Sequence, residues 1–189
     1  MTNNNMYFIA NWKMYGSLNS VDSIKKVITL SRTKSFKKVK IVYCPPYTLI
    51  RKFVEKTKNS KILIGAQNCH SKEDYGAFTG SINSKMIKNI GCKFVIIGHS
   101  ENRMEGETNQ LINKKINSAL MEKLNVVFCI GESLNEKRKN KTFSTLRNQI
   151  QGSISKKFDL KRIIIAYEPI WSIGTGKIPK AKELEKTFY

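Results

Sequence analysis

Six short apolar runs, rich in β-branched residues, recur along the chain: Tyr7–Ala10, Val39–Tyr43, Ile62–Ala66, Phe94–Ile97, Val126–Ile130 and Ile163–Tyr167. They are too short for buried helices and predict strands covered on both faces, the pattern of a parallel sheet. Their centres recur every ~31 residues, the size of one strand–helix unit. The intervals carry helical spacing instead. Leu18, Val21, Ile24 and Ile28 step by three and four, as do Ile112, Ile116 and Ala119, and Phe143, Leu146, Ile150 and Ile154. Pro45 and Pro46 precede Leu49, Ile50 and Phe53 where a second helix is predicted to begin, and a last pattern follows Pro179 with Ala181, Leu184 and Phe188.

Strand–helix alternation at a fixed period predicts an α/β fold with a parallel sheet. An open doubly wound sheet and a (β/α) barrel both fit. No Gly-x-Gly-x-x-Gly follows the first run, which weakens the dinucleotide-binding version. A complete eight-unit barrel takes ~250 residues. The 189 residues here correspond to about six units. The expectation is one domain over residues 1–189, an incomplete barrel with about six parallel strands.

Composition changes this picture little. Lys and Arg total 34 against 14 Asp and Glu, a net charge of +20. Such a charge suits acidic partners: nucleic acid, an anionic surface or phosphorylated metabolites. The lysines are spread along the whole sequence, however, which also fits the plain solvation of helix faces. Four cysteines, at 44, 69, 92 and 129, form no Cys-x-x-Cys pair, so neither a metal centre nor a disulfide framework is expected; buried, reduced thiols are. No apolar run approaches the ~20 residues of a membrane span. The start, Met-Thr-Asn-Asn-Asn, has neither the basic nor the apolar region of a secretory signal, and the expected location is cytoplasmic.

In parallel α/β folds the chemistry sits just past the C-terminal ends of the strands. This chain places there Asn11 and Lys13, a long polar loop from Gln67 to Ser81, then Gly98, His99, Ser100 and Glu101, then Gly131 and Glu132, and finally Glu168. A Lys, a His and two or three Glu would share one rim. A carboxylate beside an imidazole can move protons between a carbon and its oxygen, and a Lys can stabilise a developing enolate oxygen. The set suits proton abstraction next to a carbonyl. The nine residues Pro169–Lys177 are long for a strand–helix connection. Gly174 and Gly176 allow it to bend, and Ile170, Trp171 and Ile173 suit a lid that excludes water.

These motifs together resemble the triosephosphate isomerase family. Asn11-Trp12-Lys13-Met14, Gly65-Ala66-Gln67-Asn68, Gly76-Ala77-Phe78-Thr79-Gly80, Ile97-Gly98-His99-Ser100-Glu101, Cys129-Ile130-Gly131-Glu132 and Ala166-Tyr167-Glu168-Pro169-Ile170-Trp171 with Gly174-Thr175-Gly176-Lys177 occur in order over the whole chain. The resemblance implies a TIM barrel and a cofactor-free isomerase of glycolysis and gluconeogenesis. Such an enzyme interconverts dihydroxyacetone phosphate and glyceraldehyde 3-phosphate through an enediolate. It implies Glu168 as the base and His99 as the neutral electrophile. It implies Lys13 as the cation for enediolate and phosphate, with Asn11 binding substrate and positioning Lys13, and Glu101 acting in proton transfer and site geometry. Pro169, Ile170, Trp171, Gly174, Thr175, Gly176 and Lys177 would form the lid, with the Gly174 amide on phosphate; this family is the standard example of such loop closure.

The resemblance covers the first six units of the family's eight. Units seven and eight, which would supply a serine amide and a glycine pair to the phosphate, have no counterpart in these residues, so impaired activity is expected. Smaller departures are Tyr15 where Asn is usual, Asn102 where Arg is usual and Ser81 where Glu is usual. The Gln67–Ser81 loop, carrying Tyr75, Phe78 and Thr79, resembles the family's dimer loop, which inserts beside Asn11 and Lys13 of a second subunit. A homodimer is expected, and a larger assembly if open sheet edges also pair. A non-catalytic remnant that binds nucleic acid or another polyanion through its charge is the alternative.

Overall fold

The computed structural model describes residues 6–188; the Met1–Asn5 stretch read above for a signal, and Tyr189, lie outside them. Six strands, β1 (Met6–Asn11), β2 (Val39–Cys44), β3 (Leu63–Ala66), β4 (Phe94–Ile97), β5 (Asn125–Ile130) and β6 (Ile163–Tyr167), pair in chain order, every neighbour parallel. The sheet curls into an open half-barrel with helices around it. The doubly wound alternative is thereby excluded, because its strand order would reverse within the sheet.

Eight α-helices lie between or after the strands among the described residues: α1 (Ile24–Ser31), α2 (Tyr47–Thr57), α3 (Ser84–Asn89), α4 (Ser100–Met104), α5 (Asn109–Met121), α6 (Leu134–Arg138), α7 (Thr142–Ser153) and α8 (Ala181–Phe188). The first periodic stretch begins later than expected as α-helix: Leu18–Ser23 is a tighter 3-10 segment, and α1 follows it. Helices α3, α4 and α6 are too short to leave an apolar period, so the periodicity does not announce them. Their caps do. Asn83 accepts from the Met86 amide at 2.9 Å, and Ser133 with Glu136 closes a capping box on α6.

Strand alternation separates two cores. Val42, Cys44, Phe94, Ile96, Val127 and Cys129 meet on the concave face of the sheet. Their strand neighbours, among them Ile64, Val95, Ile97, Val126 and Phe128, pack with Phe53, Ile112 and Ile116 of the helices in a larger cluster. All four cysteines are free and buried. Burial on both faces holds at the centre, where every residue of β4 is buried, and fails at the flanks. Phe8 of β1 is 54% exposed and Ile165 of β6 is 46% exposed, because among the described residues each of these strands pairs on one side alone. Phe143, placed by its spacing on the buried stripe of α7, is also exposed; Leu146 is the buried residue there. No described helix is long and apolar enough to cross a membrane.

Phe53 ties this core to the rim. Its fully buried ring stands edge-on to Trp12 at 5.1 Å and stacks with Tyr43 at 6.0 Å. Trp12 immediately precedes Lys13. Phe53→Ala is expected to destabilise the fold by about 3–5 kcal/mol, measured by denaturant unfolding. A loss under ~1 kcal/mol would contradict this packing.

Candidate active site

Parallel pairing brings the C-terminal strand ends to one rim, and the side chains there meet. The His99 Nε2 lies 2.9 Å from Oε1 of Glu168. The backbone amide of Glu101 donates to His99 Nδ1 at 3.3 Å. An amide can only donate, so Nδ1 is the bare nitrogen, the ring proton sits on Nε2, and Nε2 donates to Glu168. The second oxygen of Glu168 accepts the Ser100 amide at 3.2 Å. Burial alone would push the Glu168 carboxyl up. The His99 contact, the Ser100 amide and the Cys129 thiol outweigh it and hold the carboxyl below the usual glutamate range. Burial, with the charge of Glu168 close by, pushes the Cys129 thiol well up, so it stays protonated and can donate.

Lys13 reaches the same rim from the end of β1. Its Nζ pairs with Glu101 at 2.8 Å, both side chains being part-exposed. Its backbone is held in the left-handed region, φ 51°, unusual for a residue with a Cβ. Two contacts hold it there, and a third anchors Gln67. The Lys13 amide donates to Asn11 Oδ1 at 3.0 Å, Gln67 Nε2 donates to the Lys13 carbonyl at 2.8 Å, and the same Gln67 nitrogen ties the Cys44 carbonyl at 2.8 Å. Gln67 thus clamps the ends of β1 and β2. Its part in the site was visible only as one residue of a motif.

The seat of Glu168 also escaped the sequence reading. Its amide donates to the Ile130 carbonyl at 2.7 Å, and its carbonyl lies against Gly131, where an added Cβ would sit 1.8 Å from that oxygen. Gly131 is gripped in turn by Gln149 of α7, which donates to its carbonyl at 2.8 Å and accepts its amide at 2.9 Å. Glu132, grouped above with the rim carboxylates, is instead buried and faces Tyr167 and Trp171. Tyr167 donates to its oxygens at 3.0 Å and Trp171 Nε1 donates at 2.9 Å. The Lys137 ammonium stands 3.3 Å from the centre of the Trp171 ring.

The segment expected to form a lid begins with Pro169 and a 3-10 turn over Ile170–Ser172, and its tip, residues 173–177, is exposed. Gly174 and Gly176 both have positive φ, with open space on the side a Cβ would occupy. Ile173 is 37% exposed, and the Trp171 indole is turned to Glu132. The site is open. A cavity of about 400 Å³ adjoins it, lined in part by Asn11, Lys13, Gln67, His99 and Glu101. Among the described residues no group of three His, Cys, Asp or Glu is arranged to hold a metal ion.

An ionised carboxylate, a proton-bearing imidazole and an ammonium therefore surround one opening. A sequence model of triosephosphate isomerase matches residues 6–188. The chain belongs to the triosephosphate isomerase family. It is similar to the triosephosphate isomerase of Geotalea uraniireducens, 43% identical over 171 residues, which are 88% of this chain and 67% of that protein. The enzyme of Dictyoglomus thermophilum is 41% identical over 178 residues, 92% of this chain and 70% of that one. The crystal structure of triosephosphate isomerase from Bartonella henselae superposes with a TM-score of 0.81 at 35% identity, over 87% of this chain and 68% of that one. The chain thus spans about two thirds of the length of these relatives, in keeping with six strands of the family's barrel.

Two outcomes follow from this seat. In a carbon-13 titration, Glu168 should lose its proton below the usual glutamate range, and His99→Gln should move that titration up. A lowered carboxyl contributes stability that is present above its unfolded-state value and is lost as the pH falls through the folded one. Gly131→Ala should cost about 1–3 kcal/mol or more by overpacking and shift the same titration; an unchanged titration in the folded variant would contradict the seat described here.

Proposed function

We propose that this chain carries the isomerase chemistry of its family, interconverting dihydroxyacetone phosphate and glyceraldehyde 3-phosphate through an enediolate. The observation that supports it best is the 2.9 Å contact between His99 Nε2 and Glu168, with Lys13 on the same rim. Substrate enters between the two. Its carbonyl oxygen takes the Nε2 proton donor that Glu168 now occupies, which frees the carboxylate to remove the proton from the adjacent carbon. The family's enzyme is itself the reference case for an imidazole that works in its neutral form. Lys13 leaves Glu101 for the developing enediolate oxygen and the phosphate, and Asn11 holds the Lys13 backbone in place. Glu101 keeps the ammonium at the rim between turnovers. The lid residues, Pro169 to Lys177, close over the substrate, with the Gly174 amide on phosphate. No step needs a cofactor. The setting is cytoplasmic glycolysis and gluconeogenesis.

The family's remaining phosphate amides, after strands seven and eight, lie beyond the residues in hand. One aimed donor to an anion is worth ~3 kcal/mol, about a hundredfold in rate. For these 189 residues alone we infer turnover several powers of ten below that of a complete barrel.

We infer also that two copies pair through the Gln67–Ser81 loop. The loop is pre-organised: His70 packs on Phe78 at 4.7 Å, Lys85 lies 5.1 Å over Tyr75 and pairs with Asp74 at 2.9 Å. Thr79 at its exposed tip enters the cavity beside Asn11 and Lys13 of the second copy.

A coupled assay with dihydroxyacetone phosphate tests the first reading. Glu168→Gln should lower the rate by a factor of about 10²–10⁴, and wild-type protein no faster than buffer would refute it. Light scattering tests the second. Phe78→Asp should yield monomers, and a wild-type monomer at micromolar concentration would refute the pairing.

A further inference from the structure

The positive charge is scattered along the sequence and over the helix faces, but the fold gathers part of it in one place. Each strand from β2 to β6 is preceded, within two residues, by a cation: Lys38, Lys61, Lys93, Lys123 and Arg162. All strands are parallel, so these residues come together on the rim opposite the site, at the N-terminal strand ends. The backbone shows them side by side. Lys38 receives the Met6 amide at 3.0 Å, the Lys93 carbonyl receives Asn125 at 2.9 Å, and Arg162 donates to the Lys123 carbonyl at 3.2 Å. Lys40 lies on the same face of β2 as Val42 and Cys44, the concave face, and is exposed at its lower mouth.

These lysines also lack carboxylate partners. Lys13, Lys25, Lys56, Lys85, Lys115 and Lys137 are all ion-paired. Among the described residues, Lys38, Lys40, Lys61, Lys93 and Lys123 are in no ion pair. Arg162 has Asp159 at 3.4 Å, and Glu122 is the carboxylate next to Lys123. Lys88, near the end of α3, is held below the usual lysine range by burial and then by repulsion from Lys93, Arg162 and Lys123. Lys88 thus lies in the field of three cations of this rim, which Glu122 offsets only in part.

We propose that this rim binds the phosphodiester backbone of a single-stranded nucleic acid. Adjacent strands are ~4.8 Å apart, so the cations form a closely spaced arc that follows the curl of the sheet. A flexible chain of phosphates tracks such an arc and reaches Lys40 in the concave mouth. A duplex, stiff over ~50 nm, does not follow it, and a flat bilayer does not enter it. Recognition is by charge, so it is independent of base sequence. The rim is remote from the isomerase site and does not depend on that reading.

The test is fluorescence anisotropy of an end-labelled oligothymidylate titrated with the chain. If roughly five phosphates are neutralised, the slope of log affinity against log salt is about −3.5, a loss of about a hundredfold between ~50 and ~200 mM KCl. The triple change Lys61→Gln, Lys93→Gln, Lys123→Gln should reduce the slope to about −1.4 and weaken binding at least about tenfold, while the same three changed to Arg retain it. A charge-matched control on the outer helix faces, Lys26→Gln, Lys52→Gln, Lys114→Gln, should bind as wild type. Circular dichroism confirms folding of each variant. No binding at ~50 mM salt would overturn the proposal. So would equal loss in the control triple, or binding to phosphatidylserine vesicles without binding to the oligonucleotide.

Discussion

The contact between His99 and Glu168 joins the ends of β4 and β6, two strands that are not neighbours, across the end of β5. There Gly131 is the residue on which the Glu168 carbonyl rests. Gln149 holds that glycine through both its amide and its carbonyl. Thus a helix on the outer layer fixes the height of a strand end, and the strand end fixes the carboxylate. The rest of the rim depends on this level. The Ser100 amide, the Cys129 thiol and the imidazole reach Glu168 only if its backbone stays there, and together they keep it ionised against the cost of burial.

The segment from Pro169 to Lys177 is anchored by the same strand end. Glu132 follows Gly131 and is buried, and its carboxylate takes hydrogen bonds from Tyr167 and Trp171 on either side of Glu168. The start of the 169–177 segment and the seat of the carboxylate therefore share two consecutive residues just past the end of β5. The tip beyond, with positive-φ glycines at 174 and 176, is exposed. Lys13 is restrained separately, by Asn11 and Gln67 at the ends of β1 and β2. Two independent clamps stand one at each side of the opening.

Much of this was legible from the residues. A parallel strand needs covering on both faces, so each one wrote itself as a short apolar run, and the ~31-residue repeat marked the strand–helix units. The rim residues were legible because topology alone places whatever follows a strand. Asn11, Lys13, His99, Glu101 and Glu168 meet as that rule requires. What failed was whatever depended on distance between strands. Glu132 has the same chemical character as Glu101, and only the packing of Tyr167 and Trp171 shows which way it faces. Gln149 lies in the middle of a helix with no motif around it. The half-exposure of β1 and β6 follows from pairing on one side, which the runs themselves do not record. The arc of cations is the converse case, since a pattern diffuse in sequence becomes concentrated once parallel strands align their beginnings.

The central claim is that Glu168 removes a carbon-bound proton at this rim, and hydrogen exchange reads that step without requiring complete turnover. Dihydroxyacetone phosphate incubated with the chain in deuterium oxide, followed by proton NMR at the carbon bearing the hydroxyl, should gain deuterium faster than in buffer. The Glu168→Gln protein, folded by circular dichroism, should bring the rate back to that of buffer. Wild-type exchange no faster than buffer, or undiminished exchange in Glu168→Gln, would contradict the account.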